Sequence, residues 1–188
     1  MNRRILLAAT ALACTGLSLA GCATTTPPVA AVPAAPAPDP APAPAARPVI
    51  PVATGIFAAP STLPYQAPPF DRIRDEDYLP GFEQAIAIKR AEVMAIANDP
   101  SAPTFANTIV ALERSGQMLG RVARAFSARQ GSNTNPVLDA TQSKVSPLLA
   151  ALDNDIMLNT ALFARIRALY EARATLGLDA EQGRVLEL

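Results

Sequence analysis

From residue 70 onward, the amino-acid sequence predicts an all-α protein. Apolar residues recur at spacings of three and four, which is the period of an amphipathic helix. Runs in which β-branched residues alternate with polar ones, typical of strands, are missing. Polar, proline-containing stretches such as "NDPSAPT" and "QGSNTNP" separate the periodic segments. The sequence therefore predicts a series of helices joined by short breaks.

The first helix is predicted over residues 75–98. One apolar stripe runs along it, formed by Tyr78, Phe82, Ile86, Val93 and either Ile96 or Ala97. Pro80 is tolerated in the opening turn, because the first N–H groups of a helix have no acceptor within it. The carboxylates of Asp75, Glu76 and Asp77 suit the positive end of the helix dipole. Metal binding by these three groups is the alternative interpretation.

A second helix is predicted from Thr104, its N-cap, to about Arg129. Its inner face carries Ile109, Leu112, Met118 or Leu119, and Val122. Gly116 and Gly120 lie four residues apart, and this spacing predicts a close approach of a neighbouring soluble helix. Charged arginines surround the pair, which argues against a membrane dimer motif.

Three further helices are predicted. The third covers 137–152 with Val145, Leu148, Leu149 and Leu152, and the fourth covers about 160–174 with Leu162, Ile166 and Tyr170. "DNDIMLN" is predicted to be the turn between them. Asp179 is the predicted cap of a fifth helix, in which the sequence stops. From this ending we expect a chain that is cut before its fold is complete, as in a truncated or split gene product.

Residues 1–21 have the layout of a signal peptide, with two arginines followed by a short apolar run. The run closes on Leu19-Ala20-Gly21-Cys22, which resembles a bacterial lipobox. We expect cleavage before Cys22 and attachment of lipid to its thiol; an ordinary secretory signal cut a few residues later is the alternative. Because Cys14 leaves with the signal, the mature chain has no cysteine pair for a disulfide.

Residues 22–69 are predicted to be a disordered linker behind the lipidated cysteine. Of the 19 prolines in the chain, 14 lie between Pro27 and Pro69, largely in alternation with alanine. Such a sequence has too little bulky apolar surface to offset the entropy of ordering, so it stays extended and solvated. A spacer from a membrane surface is predicted, and a ligand for a proline-recognising partner is the alternative.

Residues 70–188 then form the helical domain. They contain 13 lysines and arginines against 15 acidic residues, a net charge of −2. Because basic residues form no patch with interleaved aromatics, nucleic acid is not an expected partner. A glycine-rich phosphate loop, a GxSxG elbow and a cysteine–histidine pair are also missing from the sequence.

Three stretches resemble the N-terminal part of the M3 family of zinc metallopeptidases: "PPFDRIRDEDYLPGFEQAI", "NDPSAPTFANTIVALERSGQMLGRV" and "LNTALFARIRALYEARATLGLDAEQGRVLE". The nearest branch is the bacterial dipeptidyl carboxypeptidases, or peptidyl-dipeptidases, with oligopeptidase A as a more distant relation. The resemblance spans residues 63–188 in matching order. Ala106 departs from it, since the family often has glutamate in "PTFENT".

The resemblance implies an antiparallel helical wall of a deep, neurolysin-like channel that admits short peptides. In the family, zinc is held by two histidines of an HExxH helix and a later glutamate, and the enzymes trim short peptides, here by releasing C-terminal dipeptides. This chain contains no histidine. We therefore expect no catalytic, cofactor-binding or metal-binding residue in it, and zinc only in the full-length enzyme, whose C-terminal catalytic part is missing.

Two functions from different classes follow. The first is the N-terminal fragment of a membrane-anchored peptidase, and the second is a free-standing helical lipoprotein that acts as a binding or scaffolding module. For both we expect a lipid anchor at Cys22, a periplasm-facing position in the cell envelope and, from Ala23 by resemblance to sorting patterns, the outer membrane.

Overall fold

The computed structural model describes residues 48–187, so the predicted signal, Cys22 and most of the predicted linker lie outside it. Within this range the regular structure is helical, without strands, and the predicted all-α class is confirmed. The α-helices are α1 (Tyr78–Ala97), α2 (Ala111–Arg114), α3 (Gln117–Asn133), α4 (Pro136–Met157), α5 (Thr160–Ala172) and α6 (Ala180–Glu187). Short 3-10 turns cover Pro64–Gln66 and Asp75–Asp77, and a π-helical segment covers Phe105–Val110.

Helix α1 is the centre of the fold, and α3, α4 and α5 all pack against it. Its first half joins an aromatic cluster in which the Phe126 ring meets Tyr78 and Phe82 edge-on, with centroids 5.2 and 5.4 Å apart. Its second half packs against Leu162 of α5 through Val93 and Ala97. The predicted stripe on this helix is confirmed, with Ala97 rather than Ile96 as its most buried last member. Such aromatic pairs stabilise a core beyond their buried area alone.

The predicted continuous helix from Thr104 to Arg129 is wrong. Thr104 does cap the segment, accepting a hydrogen bond from the Asn107 N–H at 3.0 Å, but the chain breaks after α2 at Ser115 and Gly116. Gly116 has φ of 75°, and its N–H donates to Glu92 Oε2 at 2.6 Å. Lys89 Nζ donates to Ser115 Oγ at 2.6 Å. Two side chains of α1 thus hold the break. Gly116 supplies the left-handed turn, and its missing Cβ leaves room for the Lys89 side chain of α1.

Replacing Gly116 with alanine is expected to lower the free energy of unfolding by about 1–2 kcal/mol, since L-residues are strained in the left-handed region. An added Cβ would also lie 2.7 Å from Lys89 Cδ. Gly120→Ala is the matched control, because that position is helical and its Cβ would meet only the flexible guanidinium of Arg124. Urea denaturation of both variants checks this, and equal stability would contradict the assigned turn.

Two predicted boundaries also shift. Helix α4 continues to Met157 through "DNDIM", which was predicted to be a turn, because Ile156 packs one turn beyond buried Leu152 and Asp155 pairs with Arg90 of α1 at 2.9 Å. Helix α3 likewise runs past Arg129 to Asn133. Asp179 is confirmed as the cap of α6, accepting from the Gln182 N–H at 2.8 Å.

The arm, residues 53–74, includes a part of the predicted linker that packs on the helices. Phe57 is buried, and its ring lies 5.7 Å from that of Tyr78. The ring fits because Gly81 of α1 has no side chain; a Cβ there would lie 2.9 Å from it. Thr54 and Gln84 exchange two hydrogen bonds of 3.0 and 2.8 Å. Ordered structure therefore begins before residue 70.

The buried hydroxyl of Tyr78 is expected to make the fold less stable at alkaline pH. Burial raises the pKa of its hydroxyl above the ordinary value, nearby Arg129 opposes this shift, and Asp75 and Asp77 add to it. A raised folded-state pKa means that the stabilising contribution is complete below pH 10 and is lost as pH rises through the folded pKa. Tyr78→Phe should reduce this loss, measured by urea denaturation from pH 8 to 11. Tyr65→Phe, at a fully exposed position, should leave the pH profile unchanged.

Candidate functional site

The candidate site is a cavity of about 640 Å³ between the arm and α3. Its size falls within the range of small-ligand pockets. Three further clefts within residues 48–187 have volumes of about 360–420 Å³. Its apolar walls come from both sides and include Ile56, Phe57, Phe70, Ile73, Ala125 and Ala128.

Arg121 of α3 holds the arm over this cavity. Its Nε donates to the Phe57 carbonyl at 2.9 Å, and its Nη2 donates to the Ala58 carbonyl at 2.6 Å. Burial lowers the pKa of this guanidinium, and the neighbouring charge of Arg124 lowers it further. The two cations therefore sit close enough to repel each other, and no described acidic group offsets the effect.

Arg124 lies one turn beyond Arg121, also on the cavity wall. Within residues 48–187 its exposed guanidinium makes no hydrogen bond or ion pair. Arg72 and Asp71 are the other charged groups of the lining. The wall thus carries three cations and one carboxylate, which gives it a positive potential suited to anions.

Two of the three carboxylates considered for metal binding, Asp75 and Asp77, have structural partners. Asp75 accepts from Asn135 Nδ2 at 2.6 Å and lies 3.4 Å from Arg129 Nε. Asp77 accepts from the Arg74 N–H at 2.8 Å. In the described part of the chain, no three acidic or cysteine side chains gather as metal ligands. With no histidine in the sequence, these residues do not fit the zinc site of the M3 family.

A buried arginine that the sequence analysis missed explains the "PTFANT" motif. Arg165 of α5 is 8% exposed and donates through Nη1 to the carbonyls of Asp99 and Ser101 at 2.7 and 2.9 Å. Its Nη2 donates to Asn107 Oδ1 at 3.0 Å. The same Asn107 oxygen accepts from the Thr104 N–H at 2.7 Å. The motif therefore joins α5 to the loop after α1, and Ala106 is an exposed member of it.

Helices α4 and α5 leave several large apolar side chains in solvent. Phe163 and Tyr170 lie two turns apart on one face of α5 and are 62% and 42% exposed. Met157 and Leu158, at the end of α4, are about four-fifths exposed. We call Phe163 and Tyr170 the outer α5 face. Exposed apolar side chains of this size mark interaction surfaces when they are contiguous.

The membrane association predicted for this chain depends on residues outside the described range. Between Pro48 and Glu187, no helix combines the length and apolar character needed to cross a bilayer. Cys22 and the predicted signal lie before this range. Lipid attachment at Cys22 therefore stays a prediction.

This helical chain is similar to bacterial peptidases over about two thirds of its length. It is similar to the dipeptidyl carboxypeptidase of Salmonella typhimurium (strain LT2), with 49% identity over 128 residues, or 68% of this chain and 19% of the relative. It is also 47% identical to the dipeptidyl carboxypeptidase of Escherichia coli (strain K12) over 132 residues, 70% of this chain and 19% of the relative. No protein-family profile matches the chain.

The chain thus spans about a fifth of the length of the curated relatives it matches. At this level of identity, this chain and its two relatives share a fold over the matched residues. The predicted resemblance to an N-terminal portion of dipeptidyl carboxypeptidase is confirmed.

Proposed function

We propose that this chain forms a non-catalytic helical wall of a membrane-anchored peptidase that releases C-terminal dipeptides from short peptides. The observation that carries the proposal is the identity of 47–49% to two dipeptidyl carboxypeptidases over 128–132 residues. On this proposal the metal and the groups that activate water come from sequence beyond the matched fifth of the relatives. The chain's own helices shape and limit access to the channel.

The outer α5 face supports this proposal. Phe163 and Tyr170 are large apolar side chains that stay exposed, whereas the inner face of α5 buries Leu162, Arg165 and Leu169. A helix with apolar residues on both sides is typical of a position between two packed layers. The proposed occupant of the second side is the catalytic part of the peptidase.

The chain alone is expected neither to hydrolyse peptides nor to bind one zinc ion per chain. The reason is chemical, because a zinc site open to substrate needs three protein ligands and histidine is the usual nitrogen donor. Residues 23–188 should be dialysed against trace zinc and assayed for bound metal and for dipeptide release from a chromogenic peptide. Chelator-sensitive turnover that zinc restores would show that the chemistry lies in this chain.

We also propose that Cys22 carries lipid and holds the protein at the periplasmic side of the outer membrane. The support is the signal layout and the lipobox-like "LAGC" of the sequence. Cys22→Ser should leave an unprocessed precursor or release the chain from membranes, as followed by fractionation and intact mass. A wild-type N-terminus that is unmodified and begins after residue 22 would contradict the proposal.

The second candidate function, a free-standing helical binding or scaffolding lipoprotein, is favoured by the cavity beneath the arm. The two functions differ in what covers the outer α5 face. A sharply melting monomer that binds no hydrophobic dye would favour the free-standing module. In-frame DNA continuing to an HExxH sequence after the Leu188 codon would favour the peptidase.

A further inference from the structure

We infer that the cavity beneath the arm binds a carboxylate joined to an apolar body, such as the C-terminal end of a short peptide. This inference does not depend on the peptidase proposal, because it rests on the arm and α3 alone. The cavity has the volume of a small-ligand site, about 640 Å³, and apolar side chains face it from the arm and from α3.

The two arginines supply the recognition of the anion. Arg121 uses Nε and one Nη on the arm carbonyls, which fixes its plane and leaves Nη1 without a partner in the described residues. Arg124, one turn away, keeps its whole guanidinium available. Guanidinium groups bind carboxylates through two parallel N–H···O bonds, and these charge-assisted bonds are the stronger class. An anion between them would also relieve their mutual repulsion.

The apolar walls select the rest of the ligand. Phe57 and Ile73 of the arm and Ala125 of α3 border the cavity, and Phe70 is partly exposed beside it. A small inorganic anion would leave these surfaces wet, whereas an apolar side chain next to the carboxylate would cover them. The arm thus favours an amphiphilic monoanion over free phosphate.

The rim of the cavity has unusual backbone. Tyr65 and Gln66 both adopt φ of 56°, a left-handed conformation that costs energy for residues other than glycine. Tyr65 belongs to the cavity lining, and its side chain is fully exposed. An exposed aromatic ring at the entrance of an apolar cavity is suited to cover a bound ligand.

Two sources share this ligand chemistry, the end of a peptide and a fatty acid. The test uses the full 188-residue chain and three probes: N-acetyl-Ala-Ala-Phe with a free carboxylate, the same peptide as its C-terminal amide, and dodecanoate. Binding is measured by calorimetry and by NMR shifts of the arm. We expect the free acid to bind at least about tenfold more tightly than the amide, since the amide loses the charge-assisted pair.

Arg124→Gln should weaken binding of the free acid by about tenfold, whereas Arg114→Gln should not change it. Both arginines are exposed, and Arg114 on α2 lines a different cleft, so it is the matched control. Asp71→Asn should tighten binding by removing the one carboxylate of the lining. Tighter binding of dodecanoate with the same dependence on Arg124 would support the site and assign it to acyl chains.

Equal affinities for the acid and the amide would overturn the inference. So would a loss of binding that is the same for Arg124→Gln and Arg114→Gln, or no binding of any probe. Because Arg124 makes no hydrogen bond or ion pair with the described residues, its variant is expected to keep the wild-type melting temperature, and this is checked by circular dichroism before binding is compared.

Discussion

Replacing Arg165 with methionine is expected to lower the free energy of unfolding by about 3 kcal/mol. Methionine keeps much of the apolar stem but removes the side-chain donor to the carbonyls of Asp99 and Ser101 and one of the donors to Asn107 Oδ1. A hydrogen bond to a charged donor contributes about 1.5–3 kcal/mol, and less at the exposed Ser101, where water can replace the donor. The buried Nε, which lacks a partner within residues 48–187, offsets part of the loss. Urea denaturation followed by circular dichroism measures the change.

Arg167→Met is the control on the same helix. Its guanidinium is mostly exposed and pairs with Glu171 one turn away at 2.9 Å, an arrangement worth only about 0.3–0.5 kcal/mol. If Arg165→Met were no more destabilising than Arg167→Met, the assigned role of the "PTFANT" motif as the partner of α5 would be wrong.

Replacing Phe57 with alanine is expected to cost about 3–4 kcal/mol and to release the arm from the helices. The ring is 6% exposed and fills the space over Gly81 against Tyr78. Without it, the arm would be held mainly by the Arg121 bonds to its carbonyls and by the two hydrogen bonds between Thr54 and Gln84. Urea denaturation gives the stability, and limited proteolysis between residues 58 and 74 reports the release.

Phe70→Ala is the matched control, since Phe70 is in the same arm but 43% exposed. It should lower stability by about 1 kcal/mol or less, because little of its apolar area leaves contact with the core. A protected arm in Phe57→Ala would show that its hydrogen bonds, rather than the buried ring, fix its position.

The helices could be predicted from local residues, because their causes are local. Caps such as Thr104 and Asp179 act within one turn, and the stripe on α1 follows a regular period. The break at Gly116 could not be predicted this way. Apolar residues keep their helical spacing across it, and the groups that fix it, Lys89 and Glu92, lie 26 and 24 residues earlier in the chain.

The arm and its cavity could not be predicted, because the composition of this segment is typical of a disordered linker. Phe57 sits in a segment rich in proline and alanine, and its burial depends on a missing side chain at Gly81, far along the sequence. Arg165 carried a usable signal, since it falls between Leu162 and Leu169 on the buried face of α5, where a charged residue requires partners. A search for those partners in the preceding polar loop would have indicated Asn107.

A chimera tests most directly whether residues 63–188 form a wall of a peptidase channel. Residues 63–188 would replace the matching segment of the Salmonella typhimurium dipeptidyl carboxypeptidase, and dipeptide release from a short chromogenic peptide would be measured. If residues 63–188 complete the same channel as the segment they replace, turnover by the chimera is expected to lie within roughly tenfold of that of the parent enzyme. It also predicts loss of turnover when Phe163→Asp and Tyr170→Asp are added to the outer α5 face. A chimera that folds with the parent's circular dichroism and melting temperature, yet releases no dipeptide, would contradict the account.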